Sequence, residues 1–362
     1  IRLHQDKALL LDGPVVADIR DSAEVPSDCQ VTTLTGGTIM PGFVDLQVNG
    51  GGAVMFNDET SLDGLVTIAK AHATTGTRAF LPTLITDTPE RTRAAVDAVE
   101  NAVAAKVPGI VGIHIEGPHL SFARKGAHDP ALIRKMEQAD EDFLVEAAKR
   151  LANVMVTVAP ENVTPAQIRR LAKAGVIVSL GHTDCSMEEA MAAFDAGARC
   201  VTHLFNAMSQ LGSRAPGLVG AALRAKGISA GLIADDIHVN AASMAIALDA
   251  KVAPGAIFLV TDAMATAGTE ITEFELNGRK VLRRDGRLTL QDGTLAGADL
   301  DMSRAMRVIT ERVGVAKADA FTMATSAPAQ VLNNAFGFGR LTKGAQANAI
   351  WLDDGLMNVR SL

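Results

Sequence analysis

The sequence predicts a (β/α)8 TIM-like barrel carrying a small β-sandwich domain formed from both termini. Three observations lead there. Eight short apolar runs alternate with helix-like stretches through the middle of the 362-residue chain. Its first 40 residues and the tail from Gly339 read instead as short strands joined by turns. Polar residues of hydrolytic type fall just where the apolar runs end, and in a barrel those ends form the active face. The expected division is therefore 1–40 with 335–362 for the β domain, and 41–334 for the barrel inserted between its halves.

Taken in order, residues 8–11 and 15–19 read as strands around the turn Asp12-Gly13-Pro14, and 31–34 as another before Gly36-Gly37. The eight runs are 43–48, 78–84, 110–115, 154–158, 176–180, 200–204, 229–233 and 257–261. They are predominantly apolar, as strands covered on both faces must be. Helices are expected over 63–74, 89–105, 140–151, 165–174 and 187–196. Thr88-Pro89 and Thr164-Pro165 place a cap residue before a proline at the first helical position. Gly175 and Gly197 stand where a helix should stop. Residues 272–294 break the alternation and read as a β-hairpin inserted after the eighth strand, with turns at Asn277-Gly278 and Asp285-Gly286. Asn49-Gly50-Gly51-Gly52 lacks the lysine of a phosphate-cradling loop and reads as a flexible βα connection. The tail adds a strand at 349–352.

Composition narrows the partners. A net charge of -7, no tyrosine and a single tryptophan argue against nucleic acid and against an anionic membrane surface. No run of 18 apolar residues predicts a transmembrane helix, and the charged start of the chain does not read as a leader. Cys29, Cys185 and Cys200 are isolated, which predicts a reducing, cytoplasmic setting.

Reading the polar residues off the strand ends gives Gln47 and Asn49 for strand one, Thr83 for two, Glu116 for three, Glu161 for four, His182 for five, His203 for six, His238 for seven and Asp262 for eight. Glu116, His182 and His203 form a one-carboxylate, two-imidazole set of the kind that holds a hydrolytic metal and leaves a position open for water. Asp262 suits a general base at the same rim. His114 is expected to be a packing residue, and Glu161 to form an ion pair.

At these residues the chain resembles the N-acetylglucosamine-6-phosphate deacetylase family of the amidohydrolase superfamily. The resemblance rests on Pro41-Gly42-Phe43-Val44-Asp45-Leu46-Gln47, His114-Ile115-Glu116-Gly117-Pro118, Gly181-His182-Thr183, Thr202-His203-Leu204-Phe205-Asn206-Ala207-Met208 and Val260-Thr261-Asp262-Ala263, in family order. It implies metal ligation by Glu116, His182 and His203, a catalytic Asp262, and a His128 that helps polarise the acetyl carbonyl. It further implies substrate contacts from Ala127, His128, Asn206 and Ala207, a 6-phosphate grip from Arg214 and His238, and a loop Leu295-Ala296-Gly297 closing over the sugar. Many superfamily members carry His-x-His where this chain has Gln47-Val48-Asn49, and amides are poor zinc ligands beside imidazole. One divalent ion per subunit is thus expected, Zn2+ first, with Fe2+ or Mn2+ as alternatives. The implied reaction is hydrolysis of N-acetylglucosamine 6-phosphate to glucosamine 6-phosphate and acetate by a homodimer whose phosphate pocket lies near the subunit interface. The alternatives are the galacto epimer as substrate, or a catalytically silent sugar-phosphate-binding barrel.

Overall fold

A computed structural model describes residues 3–362. Eight parallel strands lie side by side: Phe43–Val48, Thr77–Ile85, Ile113–Glu116, Val154–Val158, Ile177–Leu180, Cys200–Val201, Ser229–Ile233 and Ile257–Val260. Each is followed by helical structure, the arrangement of a (β/α)8 fold. The order runs from the first strand to the eighth without exchange. The eighth meets the first through single contacts in place of a ladder, with a bridge between Val48 and Ala263 and a bond from Asp262 N to Gln47 O of 3.0 Å. Side chains complete that seam. Asp45, fully buried, accepts from Thr261 Oγ1 at 2.5 Å and from Gln47 N at 3.2 Å.

Local chemistry explains the helices. Thr88 and Thr164 each cap a helix that opens with proline, at Pro89–Ala104 and Pro165–Lys173. At the second, Gln167 returns the bond to Thr164 N and completes a capping box. Gly197 ends Met187–Ala196 at φ 120°, where a side chain would be strained. Phe43, Phe80, Phe258 and Phe321 are among the fully buried side chains that fill the space between strands and helices.

The chain ends are tied together. Thr38–Pro41 pairs with Ala349–Leu352, which pairs with Val359–Ser361. The hairpin Lys7–Asp12/Val15–Asp21 joins the tail through Val16 N to Ala345 O at 2.9 Å and Ala347 N to Pro14 O at 2.7 Å. Residues 31–34, expected as a strand, are not one. Val31 is 64% exposed and has no ladder partner, and Trp351 Nε1 instead bonds Gly36 O at 2.9 Å.

Two rim segments also differ from expectation. Asn49 to Gly52 is no flexible connection. Gly50–Gly51 pairs with Val54–Met55, and Gly50 N and Gly52 N bond Ala263 O and Ala267 O. The insertion after the eighth strand is not one hairpin but a four-stranded antiparallel sheet, Glu273–Leu276, Arg279–Arg284, Arg287–Leu290 and Leu295–Ala298. Leu276, Val281, Leu288 and Ala296 from it pack with Met55, Ile85 and Met264 in a second apolar cluster over the rim. Leu295-Ala296-Gly297 is therefore strand, not a loop, and it is fixed by the pairing of Thr289 with Leu295 and by Ala298 N bonding Asp262 O at 2.9 Å. Among the described residues no helix is long and apolar enough to cross a membrane.

Candidate active site

The rim residues arrive from different strands, and the backbone turns sharply to deliver them. His182, His203 and Asp262 have φ of 48°, 27° and 52°, and Phe205 and Ala207 follow at 78° and 49°. Non-glycine residues in this left-handed region are uncommon and gather where function fixes the geometry.

Glu116, His182 and His203 are all buried, and their ligand atoms converge. Glu116 Oε1 lies 3.1 Å from His203 Nε2 and 3.3 Å from His182 Nε2, and the two Nε2 atoms are 3.1 Å apart. Ligand atoms around a tetrahedral ion with bonds of about 2.05 Å stand roughly 3.3 Å from each other, so the triangle has the size of one face of such a shell. His182 Nδ1–H donates to Arg124 O at 2.8 Å, which leaves the lone pair on Nε2 facing the centre. His203 Nδ1 is buried without a partner among the described residues. Burial alone would raise the Glu116 carboxyl; the His182 and His203 imidazoles beside it hold it well below the usual carboxylate range. An anion and two imidazole nitrogens at these spacings fit a divalent cation.

Gln47 and Asn49 turn amide nitrogens on this site. Gln47 Nε2 donates to Glu116 Oε1 at 3.1 Å, and Asn49 Nδ2 to Asp262 Oδ1 at 2.6 Å. Asp262, 9% exposed, is pushed up to about 6, first by burial and then by the Glu116 charge, against the opposing pull of His203, Asn49 and His238. His128 is buried between Thr86 and the triad. Its Nδ1 lies 2.7 Å from Thr86 Oγ1 and 3.3 Å from Thr86 N, and its Nε2 is turned to the triad, 4.0 Å from Glu116 Oε2. Burial, then the neighbouring His182 ring, hold His128 well below its ordinary value.

The remaining expected residues come from the connections after the third, sixth and seventh strands. Ala127 O accepts from the Arg279 guanidinium of the inserted sheet. Ala207 O accepts from Thr183 N at 3.1 Å, and half-buried Asn206 bonds Leu204 O at 3.4 Å. His238 Nδ1 sits 2.6 Å from Asp235 Oδ2. Arg214 is exposed within 211–215, and among the described residues no hydrogen bond or ion pair involves it; the structure does not join it to His238. Glu161 forms hydrogen bonds, not the ion pair expected, because the nearest groups are Thr183 Oγ1 at 2.5 Å and Asp184 N at 2.7 Å. His114 stays in the barrel interior on Thr157 Oγ1 at 2.7 Å and Leu46 O at 3.1 Å. Sequence reasoning missed Thr86, Asp45, Asp235 and Arg279, which touch the site residues from behind. Only Asp235 left a trace, as an aspartate three residues before a histidine.

Residues 38–360 match the model of the amidohydrolase family. The chain belongs to the amidohydrolase family. It is 44% identical over 333 residues to an N-acetylgalactosamine-6-phosphate deacetylase of Shewanella sp. (strain ANA-3), covering 92% of this chain and 84% of that protein. It is 35% identical over 347 residues to an N-acetylglucosamine-6-phosphate deacetylase of Haemophilus influenzae, covering 95% and 90%. Among solved structures, N-acetylglucosamine-6-phosphate deacetylase from Pasteurella multocida superposes with a TM-score of 0.92 at 33% identity, over 98% of this chain and 93% of that one.

Proposed function

We propose that this amidohydrolase removes the acetyl group from N-acetylglucosamine 6-phosphate. The observation that carries the reading is the convergence of Glu116, His182 and His203 beside Asp262, in a chain whose relatives are amino-sugar-phosphate deacetylases. A divalent metal held by Glu116, His182 and His203 would supply Lewis-acid polarisation of the amide carbonyl and ease ionisation of water. The chain's own groups do the rest. Asp262 takes a proton from the attacking water and returns it to the departing amine. His128 Nε2–H donates to the carbonyl oxygen as negative charge develops there. Asn206 and the backbone at Ala127 and Ala207 bind the sugar, Leu295, Ala296 and Gly297 wall the site from the inserted sheet, and Arg214 and His238 grip the 6-phosphate. Arg214 is free to do so because nothing among the described residues holds its guanidinium.

The amide groups of Gln47 and Asn49 support a single ion. Each donates its amide N–H to a carboxylate, Gln47 to Glu116 and Asn49 to Asp262, and an amide oxygen is a poor ligand for such an ion beside imidazole. Metal analysis of the purified enzyme is expected to give one divalent ion per chain, zinc first; two tightly held ions would refute this. For His128→Asn, kcat is expected to fall by about 10²- to 10³-fold with KM little changed, as loss of one oxyanion donor does. A fall below threefold would remove His128 from that role.

A second reading has its own observation. The relative at 44% identity is named for the galacto epimer. Paired turnover on the two 6-phosphates decides between them: a higher kcat/KM for the gluco substrate supports the first reading, and the reverse the second. We further place the enzyme in the cytoplasm, supported by three unpaired thiols, and as a homodimer joined near the phosphate pocket. The exposed apolar residues Phe122 and Leu211, 64% and 55% exposed and close in sequence to Ala127 and Arg214, support such an interface.

A further inference from the structure

Asp235 stands at the end of the seventh strand, and its two carboxylate oxygens are differently employed. Oδ1 accepts from Ile237 N at 2.8 Å and His238 N at 2.7 Å, which shapes the turn. Oδ2 is given over to His238 Nδ1 at 2.6 Å. The residue is 4% exposed. A turn of this kind needs only one side-chain oxygen, which asparagine or serine supplies without burying a charge. The neighbouring acid is engaged elsewhere, since Asp236 bonds Ala241 N at 2.8 Å and pairs with Arg312 at 3.0 Å. Among the described residues no protein group bonds His238 Nε2.

We infer that Asp235 is a positioning residue for phosphate recognition, one that lets His238 hold a proton on each ring nitrogen while a phosphate oxygen sits on Nε2. This rests on the reading of His238 as a phosphate contact. Carboxylate, ring and phosphate then form one hydrogen-bonded chain, and the contact to the anion is charge-assisted. An amide at 235 preserves the turn and removes this device. With its oxygen kept on the two backbone N–H groups, its nitrogen faces the ring and donates to Nδ1. His238 then carries a single proton and offers the phosphate a neutral donor.

The test is Asp235→Asn beside His238→Ala, with kcat, KM and inhibition by the two products glucosamine 6-phosphate and glucosamine. For Asp235→Asn, KM and the inhibition constant of glucosamine 6-phosphate are expected to rise about tenfold, with kcat and the inhibition constant of glucosamine within about twofold. His238→Ala should show the same split with a larger rise. A turn-building role alone predicts no change in Asp235→Asn. If His238→Ala raises KM and Asp235→Asn does not, this inference falls and the phosphate reading stands. If His238→Ala leaves KM unchanged, the phosphate reading falls and takes the inference with it. Equal rises for both inhibitors would indicate a general disturbance of the site and overturn the inference as well.

Discussion

Asp262→Asn is expected to lower kcat by about 10³- to 10⁴-fold while metal content and substrate affinity stay near those of the parent enzyme. The amide has the shape of the carboxylate and can still meet Asn49, but it cannot take a proton from water or return one to the amine. Its effect on stability should run the other way. Burial, followed by the Glu116 charge, pushes Asp262 up to about 6. A carboxyl raised in the folded state contributes stability that is full below its unfolded value near 3.8 and is lost as pH rises through the folded value. Above pH 6 the ionised form therefore works against the fold, and the Asn variant should melt no lower than the parent. The same ionisation sets the acidic limb of the rate. Activity requires the carboxylate, so kcat/KM should rise with pH and level off at or somewhat below about pH 6, since a cation in the triad favours the charged form. Turnover within tenfold of the parent in Asp262→Asn would remove Asp262 from the base role.

Glu116→Gln is expected to abolish metal retention and, with it, about 10³-fold or more of the activity. Glu116 is the one anion in the triad and is 2% exposed, so its charge is the main attraction for a cation at that position. Glutamine keeps the volume but offers a neutral oxygen, and its amide would face the amide of Gln47, which now donates to Glu116 Oε1 at 3.1 Å. After desalting, the variant should hold less than about one tenth of the parent's metal, with a partial return of activity at high added metal. Full occupancy together with parental turnover would place the metal elsewhere.

The barrel was legible because its eight strands are predominantly apolar runs spaced by helix-like stretches, and because proline and cap residues mark helix starts at Thr88 and Thr164. The reactive rim was legible for a related reason. Glu116, His182, His203 and Asp262 each stand at or within two residues of the end of an apolar run, so counting to the end of each run finds them. The inserted sheet was only half legible. Its first turns carry Asn-Gly and Asp-Gly, but Leu295–Ala298 is small and bland, and its strand character comes from pairing with Arg287–Leu290. Most of the bonds that tie the site together were not legible, because they join residues across long stretches of chain. Asp45 reaches Thr261 over 216 positions, and Asn49 reaches Asp262 over 213. The turns at His182, His203 and Asp262 were also hidden. Rules for left-handed backbone look for glycine or asparagine, and here the geometry is imposed by packing and by the bonds at the rim.

The central claim is that this chain is a metal-dependent amino-sugar-phosphate deacetylase. The most direct measurement is release of acetate and free amine from N-acetylglucosamine 6-phosphate by metal-loaded protein, with and without chelator. Equal amounts of acetate and amine, released only when metal is retained, are predicted. No release from a folded, metal-loaded sample, or release that a chelator leaves untouched, would contradict the account.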